Sequence, residues 1–271
     1  YYKKAIELNP DHSEAFKNLG YLMYRLNRYN EAESYYKKAI ELNPDNLDTH
    51  HLLSALKGVT TKTAPKTYIQ NLFDNYANGF DKSLIDELHY NAPKIVSNAI
   101  TNNFQNKSLG SVLDLGCGTG LFGEEIRNFC NYLEGVDLSS LMLNLARKRN
   151  VYDKLSKEDI LDYLSKEGLD FDYFVFLDVF IYLGDLDDVF KLIYSQNKNS
   201  GKLVFTTENS KKENYFLEKS GRYSHSKSYI KMLCDKYGYG ISYHENIKLR
   251  KEGNRFIDGG LYILEFSKNW L

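Results

Sequence analysis

The residues best suited to chemistry lie in the stretch Val112–Gly123, which reads VLDLGCGTGLFG. An apolar run stops at alternating glycines, and this pattern predicts a buried strand, a tight turn and the start of a helix. Gly116, Gly118 and Gly120 let the backbone turn sharply and leave no Cβ between the chain and a ligand. The amides that open the following helix are suited to a carboxylate or a phosphate. The stretch therefore predicts a nucleotide-binding loop.

Asp114 distinguishes between two kinds of nucleotide site. Gly118, Gly120 and Gly123 have the GxGxxG spacing of dinucleotide-binding folds. Asp114 lies two residues before the first glycine, where its carboxylate would attract a cationic ligand group and repel a pyrophosphate. We therefore expect a ligand with a positive charge beside the loop. A tight turn without any ligand is the structural alternative.

At these residues the chain resembles the class I methyltransferases that depend on S-adenosylmethionine (SAM), whose first motif is an acidic residue followed by GxGxG. LEGVDLSSLML at Leu133–Leu143 resembles their second motif, which implies that Asp137 accepts hydrogen bonds from both ribose hydroxyls. SKEDI at Ser156–Ile160 resembles the third motif, which implies that Asp159 meets the adenine amino group. FDYFVFLDVFIYLGDL at Phe171–Leu186 has the form of the fourth strand and its loop.

The resemblance implies SAM as the cofactor, S-adenosylhomocysteine (SAH) as its product, and no metal. The residues expected to bind the cofactor are Asp114, Gly116, Cys117, Gly118, Gly120, Asp137, Leu138, Met142, Asp159, Ile160, Asp178, Tyr76 and Phe80. Some of them have structural alternatives: Cys117 as a small filler, Asp137 as a helix cap and Asp159 as an exposed loop acid.

Candidate catalytic residues come from segments expected near the transferred methyl group. Asp178, in DVFIY, could orient an amine or a hydroxyl, or could cap the end of its strand. His225 belongs to the polar segment GRYSHSKSYI, predicted as a loop that opens a helix, and could be a base with a pKa near neutrality or a surface residue. His89 is the second choice of base, and Glu208 could line the pocket or be solvated. A base is needed only for an acceptor that is protonated at the working pH.

The alternation of strands and helices predicts an α/β fold with a doubly wound, Rossmann-like sheet. The family form implies seven strands that end in a C-terminal antiparallel hairpin. The predicted strands are Val112–Leu115, Tyr132–Val136, Phe171–Phe176, Lys202–Thr206, and the hairpin near Ile241–Leu249 and Leu261–Phe266. Because ligands of open parallel sheets bind beyond the carboxyl ends of the strands, we expect Asp114, Asp137, Asp159 and Asp178 to lie near one another.

The sequence YYKKAIELNPD occurs at Tyr1–Asp11 and again at Tyr35–Asp45, a period of 34 residues. This period and the residues between the copies resemble tetratricopeptide (TPR) repeats, with Gly20 as the small close-packing residue and Pro44 as the closing proline. The repeats imply a small all-α domain at 1–57, either continued upstream or docked on the catalytic domain. Because Tyr1 falls inside a motif, we expect that the native amino terminus lies upstream. The domain could bind a protein or peptide on its concave surface or serve as a structural buttress.

The remaining boundaries follow from composition. The segment 58–67, within which GVTTKTAPK is small and polar, is predicted as a linker, and 107–271 as the methyltransferase domain. Between them, 68–106 is predicted as a helical lid that brings Tyr76, Phe80 and His89 over the pocket. FDNYANGFDKSL and ELHYNAP in this lid resemble a bacterial group of predicted methyltransferases with TPR repeats.

Composition limits the partners and the compartment. The chain has 271 residues with a net charge of −1, so general binding to nucleic acid is not expected. No apolar run is long enough for a bilayer span, and no membrane partner is expected. The 3 cysteines lack metal-type or disulfide-type spacing, which favours reduced thiols and a cytoplasmic location.

Three functions are compatible with these patterns. The favoured one is a SAM-dependent methyltransferase that acts on an unidentified protein or small molecule. The second is a TPR adaptor whose methyltransferase fold binds the cofactor but is catalytically silent. The third is an NAD-dependent oxidoreductase, which the GxGxxG spacing and Asp137 favour and Asp114 opposes.

Overall fold

The structure is a computed structural model that describes residues 1–77, 79–103, 108–196, 201–253 and 255–266. The predicted lid boundary at 106–107 and the end of the predicted methyltransferase domain, 267–271, lie outside these residues. The helices are α1 (Tyr2–Leu8), α2 (Ser13–Arg25), α3 (Tyr29–Leu42), α4 (Leu47–Lys57), α5 (Lys66–Tyr76), α6 (Phe80–Lys82), α7 (Ala92–Asn103), α8 (Leu121–Ile126), α9 (Ser140–Arg149), α10 (Ile160–Leu164), α11 (Asp187–Gln196) and α12 (Lys227–Tyr237). Within these ranges no helix combines the length and the apolar composition needed to cross a bilayer.

The described strands form one sheet. They are β1 (Ser111–Leu115), β2 (Tyr132–Asp137), β3 (Lys154–Lys157), β4 (Tyr173–Phe176), β5 (Lys202–Asn209), β6 (Tyr215–Leu217), β7 (Tyr223–His225), β8 (Tyr239–Glu252) and β9 (Arg255–Phe266). Strands β3, β2, β1, β4 and β5 are parallel neighbours in that order, and β9 and then β8 continue the sheet antiparallel beyond β5. The α/β sheet with its C-terminal hairpin is therefore confirmed.

Among the described residues the sheet has 9 strands where 7 were predicted. The additional pair, β6 and β7, is a short antiparallel hairpin attached to the carboxyl end of β5, where Glu208 pairs with Ser224 and Asn209 with His225. Each of the two strands has 3 residues, too few to show an alternating apolar pattern. The prediction of 7 strands was wrong for this reason.

Helices cover both faces of the sheet. Side chains of β1 alternate between two buried clusters: Leu113 packs with α10, α11 and α12 on one face, and Val112 packs with α7 and α8 on the other. Burial of each large apolar side chain stabilises the fold by about 1.5–3 kcal/mol relative to exposure. Helix α7 lies within the range predicted as a lid, yet Val96 and Ile100 are buried in the second cluster. The part of that range that lies above the loops is α5 and α6.

The N-terminal helices form the expected repeat and dock on the rest of the chain. Gly20 allows close packing, since a Cβ at this position would lie 2.6 Å from the ring of Tyr36. In α4, the buried carboxylate of Asp48 accepts hydrogen bonds from Thr67 Oγ1 at 2.6 Å and Asn71 Nδ2 at 3.1 Å. These contacts join α4 to α5, so docking is the arrangement that the structure adopts.

The segment predicted as a linker is bound to the loop after β4. The Ala64 amide donates to the Tyr182 carbonyl at 3.0 Å, and the Gly184 amide donates to the Lys62 carbonyl at 2.9 Å. These backbone hydrogen bonds hold α5 in place over the carboxyl end of the sheet.

Candidate functional site

The glycine loop closes the carboxyl end of β1 and is anchored to β2. The amides of Gly116 and Cys117 donate to the Val136 carbonyl at 2.7 and 3.0 Å. The Gly118 amide donates to Asp137 Oδ2 at 2.9 Å. These three amides are occupied within the protein, so they position the loop in this structure and do not point freely at a ligand.

Two of the glycines are required for different reasons. Gly116 has a φ of 80°, and a Cβ there would lie 2.4 Å from Val179 Cγ2, so the loop presses directly on the chain after β4. Gly118 has a φ of 55°, and a Cβ there would meet nothing within 4 Å. Gly118 therefore faces open space, as a loop that leaves room for a ligand should.

The two acidic residues at the ends of β1 and β2 are buried and lack a cationic partner among the described residues. The Tyr152 hydroxyl donates to Asp114 Oδ2 at 2.7 Å, yet burial raises the pKa of Asp114 to about 7. Burial likewise raises the pKa of Asp137 to about 6, although the amides of Ser139 and Gly118 oppose the shift. A cationic group bound here would stabilise the charged form of both carboxylates, so the site fits the charged methionine part of SAM.

Other residues expected at the cofactor support the loops around it. Asp159 caps α10 by accepting hydrogen bonds from two amides of its first turn, and its Oδ1 lies 3.2 Å from Lys66 Nζ. Met142 is fully buried beneath the loop after β2, and its amide donates to the capping hydroxyl of Ser139. Leu138 and Ile160 are half-buried.

Two lid carboxylates that the sequence analysis did not identify reach the same loops. Ser139 Oγ donates to Asp74 Oδ1 at 2.5 Å, which joins α5 to the start of α9. Thr119 Oγ1 donates to Asp81 Oδ1 at 2.5 Å, and Arg149 pairs with the other oxygen of Asp81. We call Asp74 and Asp81 the lid carboxylates. They hold α5 and α6 closed over both loops that would bind the cofactor.

The lid side chains predicted over the pocket have varied surroundings. Tyr76 is 47 % exposed, and its pKa is raised by burial and by the neighbouring Tyr21 of α2. Phe80 is half-buried and packs edge-on against Phe73, with ring centroids 6.0 Å apart. His89 is exposed and has a positive φ of 50°.

Asp178 takes part in a buried ion-pair network. Its backbone has a φ of 54°, unusual for a residue other than glycine, and its amide donates to Thr206 Oγ1 at 2.9 Å. Arg250 Nη1 donates to Asp178 Oδ2 at 2.8 Å, and Arg250 also pairs with Glu208. Although burial alone would lower the pKa of Arg250, these two carboxylates raise it. The basic partner comes from β8 and was missed because it lies 72 residues away in sequence.

His225 lies in β7 and not in the predicted loop. It is 1 % exposed, and its Nε2 lies 2.9 Å from the Leu183 carbonyl oxygen and 3.0 Å from that of Gly184. Burial lowers the pKa of His225 to about 4, so the structure does not support the pKa near neutrality that we expected. In this environment the neutral imidazole fastens the β6–β7 hairpin to the loop after β4.

Comparison with known families agrees with this arrangement. Residues 78–244, more than half of the chain, match the family model described as a methyltransferase domain. Residues 13–46 match the model of a tetratricopeptide repeat. The predicted methyltransferase domain and the predicted N-terminal repeat are both confirmed.

Individual relatives resemble parts of the chain. It is 31% identical over 174 residues to malonyl-[acyl-carrier protein] O-methyltransferase from Priestia megaterium, which covers 63% of this chain and 61% of that protein. Among solved structures, magnesium protoporphyrin IX methyltransferase from Synechocystis PCC 6803 with bound SAH has a TM-score of 0.56 at 17% identity and covers 74% of this chain and 99% of that one. N-methyltransferase NodS from Bradyrhizobium japonicum WM9 in complex with SAH has a TM-score of 0.52 at 16% identity, with 65% and 87% covered. At such identities the structural likeness shows the fold.

Proposed function

Because the chain belongs to the methyltransferase-domain family, we propose that it transfers a methyl group from SAM to an acceptor that binds beside Asp178. One observation carries the proposal. Asp114 and Asp137 are buried next to the open side of the glycine loop, where burial raises the pKa of both carboxyls and no cationic side chain of the described residues neutralises them. A positively charged nucleotide is the ligand that this combination favours.

The residues around the loop have separable tasks. When bound, SAM would supply a methyl group on a positively charged sulfur. An acceptor lone pair would bond to the methyl carbon as the carbon–sulfur bond breaks, which leaves SAH. Asp137 would hold the ribose, Gly118 would leave room for it, and Asp114 would face the charged methionine part. The lid carboxylates would keep α5 and α6 closed and exclude water from the site.

Asp178 is the residue that we propose next to the acceptor. It follows β4, and its neighbour Val179 touches the glycine loop at Gly116. The buried histidine of β7 is less suited to this task, because its Nε2 is bound to the carbonyls of Leu183 and Gly184. Asp178 would orient the acceptor and accept a hydrogen bond from it.

The TPR helices are proposed to bind a protein or peptide partner. Docking occupies part of α4, and Tyr21 and Tyr29 lie near Tyr76 of the lid and Lys219. Leu8, Leu22 and Leu26 remain exposed on the first two helices or directly after them, and these apolar side chains support a partner there. The free, buried Cys117, Cys130 and Cys234 support a cytoplasmic location.

Transfer of labelled methyl groups tests the activity. The full chain is incubated with tritium-labelled SAM and fractionated cell extract, beside Asp137→Ala and the control Asp188→Asn, whose side chain is exposed on α11. We expect the wild type and the control to label the same fraction, and Asp137→Ala to label it at least about fivefold less at limiting SAM. Tight SAH binding without any transfer would instead support the silent adaptor.

A further inference from the structure

The ion-pair network around Asp178 is larger than a single pair. Arg250, 7 % exposed, lies between Asp178 and Glu208, and Glu208 is itself 8 % exposed on its side chain. Arg222 Nη2 donates to Glu252 Oε1 at 2.8 Å. Arg222 Nε lies 3.1 Å from Glu208 Oε1 but is not aligned for a hydrogen bond, so that contact is an ion pair only. We call Asp178, Glu208, Arg222, Arg250 and Glu252 the acceptor-side network.

The charges in this network decide what it can still bind. It contains two arginines and three carboxylates, and each arginine already contacts two of the carboxylates. An anionic acceptor would have to displace one of these carboxylates and would add a fourth negative charge to a site that water screens poorly. A group that donates a hydrogen bond meets no such repulsion.

Two tyrosines add polar groups to the same place. The pKa of Tyr90 is raised first by burial and then by Asp178, and the pKa of Tyr182 is raised by burial while Arg222 and Arg250 oppose it. Both hydroxyls therefore lie near the network. In the described parts of the chain, neither hydroxyl has a hydrogen-bond partner, so both are available to a polar ligand.

The network lies next to the cofactor loop. Strands β1 and β4 are paired with Asp114 opposite Val175, so the chain after β4 begins beside the glycine loop. Gly116 approaches Val179 closely. The charge of Asp114 also raises the pKa of Tyr90, as that of Asp178 does. The space between Asp114 and Asp178 is thus common to the cofactor loop and the network.

We propose that the acceptor-side network selects an acceptor that donates a hydrogen bond from its reacting atom, an amine or a hydroxyl, and disfavours a carboxylate. This inference rests on the proposed function and adds the chemical class of the acceptor. The P. megaterium relative is named for O-methylation of a malonyl group. The acceptor class inferred here is different, because carboxylates of this chain already contact both arginines.

Paired titration calorimetry tests the inference without knowledge of the acceptor. Sinefungin carries an ammonium group in place of the methyl group that SAM transfers, whereas SAH has no group there; adenine, ribose and amino acid are common to both. We expect the wild-type chain to bind sinefungin about tenfold or more tightly than SAH, because the ammonium donates to Asp178. In Asp178→Asn this preference, measured as the ratio of the two dissociation constants, should disappear.

The controls separate the inference from the proposed function. Asn adopts a positive φ as readily as Asp, which favours folding of the variant, and Asp188→Asn should keep the wild-type preference. If Asp178→Asn does not fold, the wild-type ratio decides. Equal or weaker binding of sinefungin, or a preference that survives in Asp178→Asn, would overturn the inference while SAH binding upholds the proposed function. Absence of SAH binding would overturn both.

Discussion

Asp114 is a buried carboxyl whose protonation couples folding to pH. Its pKa is about 7 in the folded chain and about 4 in an unfolded one. The protonated form therefore stabilises the fold, a contribution that is complete below about pH 4 and lost as the pH rises through 7. Relative to Asp114→Asn, the wild type should lose about 3 kcal/mol of unfolding free energy between pH 5 and pH 8, two units at about 1.4 kcal/mol each.

Urea unfolding of both proteins at the two pH values measures this difference. Asp137 shifts in the same direction and is present in both proteins, so the effect of its own burial cancels, whereas its charge interaction with Asp114 is part of the measured difference. Parallel pH dependences of the wild type and Asp114→Asn would contradict the burial of an uncompensated carboxyl.

His225 should behave oppositely, as a structural group. Its pKa of about 4 lies below the unfolded value of about 6.5, so the neutral ring stabilises the fold fully above pH 6.5, and this contribution is lost as the pH falls through 4. At pH 7.5, His225→Leu should cost about 1–3 kcal/mol, because the carbonyls of Leu183 and Gly184 lose their donor. SAH affinity, measured by calorimetry, should stay unchanged. Unaltered stability with slower turnover would make His225 catalytic after all.

Single residues can be proposed from the sequence where one short motif contains the whole signal. The glycines and Asp114 lie within a few residues of one another, and Asp137 follows the next strand. Tyr152 and Arg250 could not be found in this way, since only folding brings them to Asp114 and Asp178 from 38 and 72 residues away. The near-neutral pKa expected for His225 failed because burial cannot be read from a polar local sequence.

At the scale of elements, the lid depends on its two carboxylates. Asp81→Ala removes the bonds from Thr119 and Arg149, so α5 and α6 should open more often. We expect faster hydrogen–deuterium exchange in both helices and about tenfold faster dissociation of SAH, measured by stopped flow. Asp86→Ala, at an exposed position in the turn after α6, is the matched control. Exchange and dissociation that match the control would show that the lid is held by other contacts.

Elements with a strong periodic pattern were predictable. Strand β4 is buried at all 4 positions and lies within the predicted strand Phe171–Phe176. The 3-residue strands β6 and β7 carry no comparable pattern. Helix α7 was predicted as a helix but assigned to the lid, because its sequence does not say which surface it covers.

At the scale of the whole molecule, Asp48 links the repeat helices to the lid. It is buried in α4 and accepts hydrogen bonds from Thr67 and Asn71 of α5. Asp48→Ala leaves both donors without their acceptor and should reduce the unfolding free energy of the full chain by about 1–3 kcal/mol, measured by urea unfolding. Asp45→Ala, an exposed change before α4, is the control. Equal effects of the two substitutions would contradict a stabilising role for this interface.

The central claim is a SAM site beside the glycine loop, and calorimetric titration of the full chain with SAH, with NAD in parallel, tests it most directly. We predict micromolar binding of SAH, no binding of NAD, and a loss of about 1–3 kcal/mol of SAH binding free energy in Asp137→Ala. Binding of NAD without SAH would contradict the role of Asp114 and favour an oxidoreductase. Binding of neither would leave the TPR surface as the functional part of the chain.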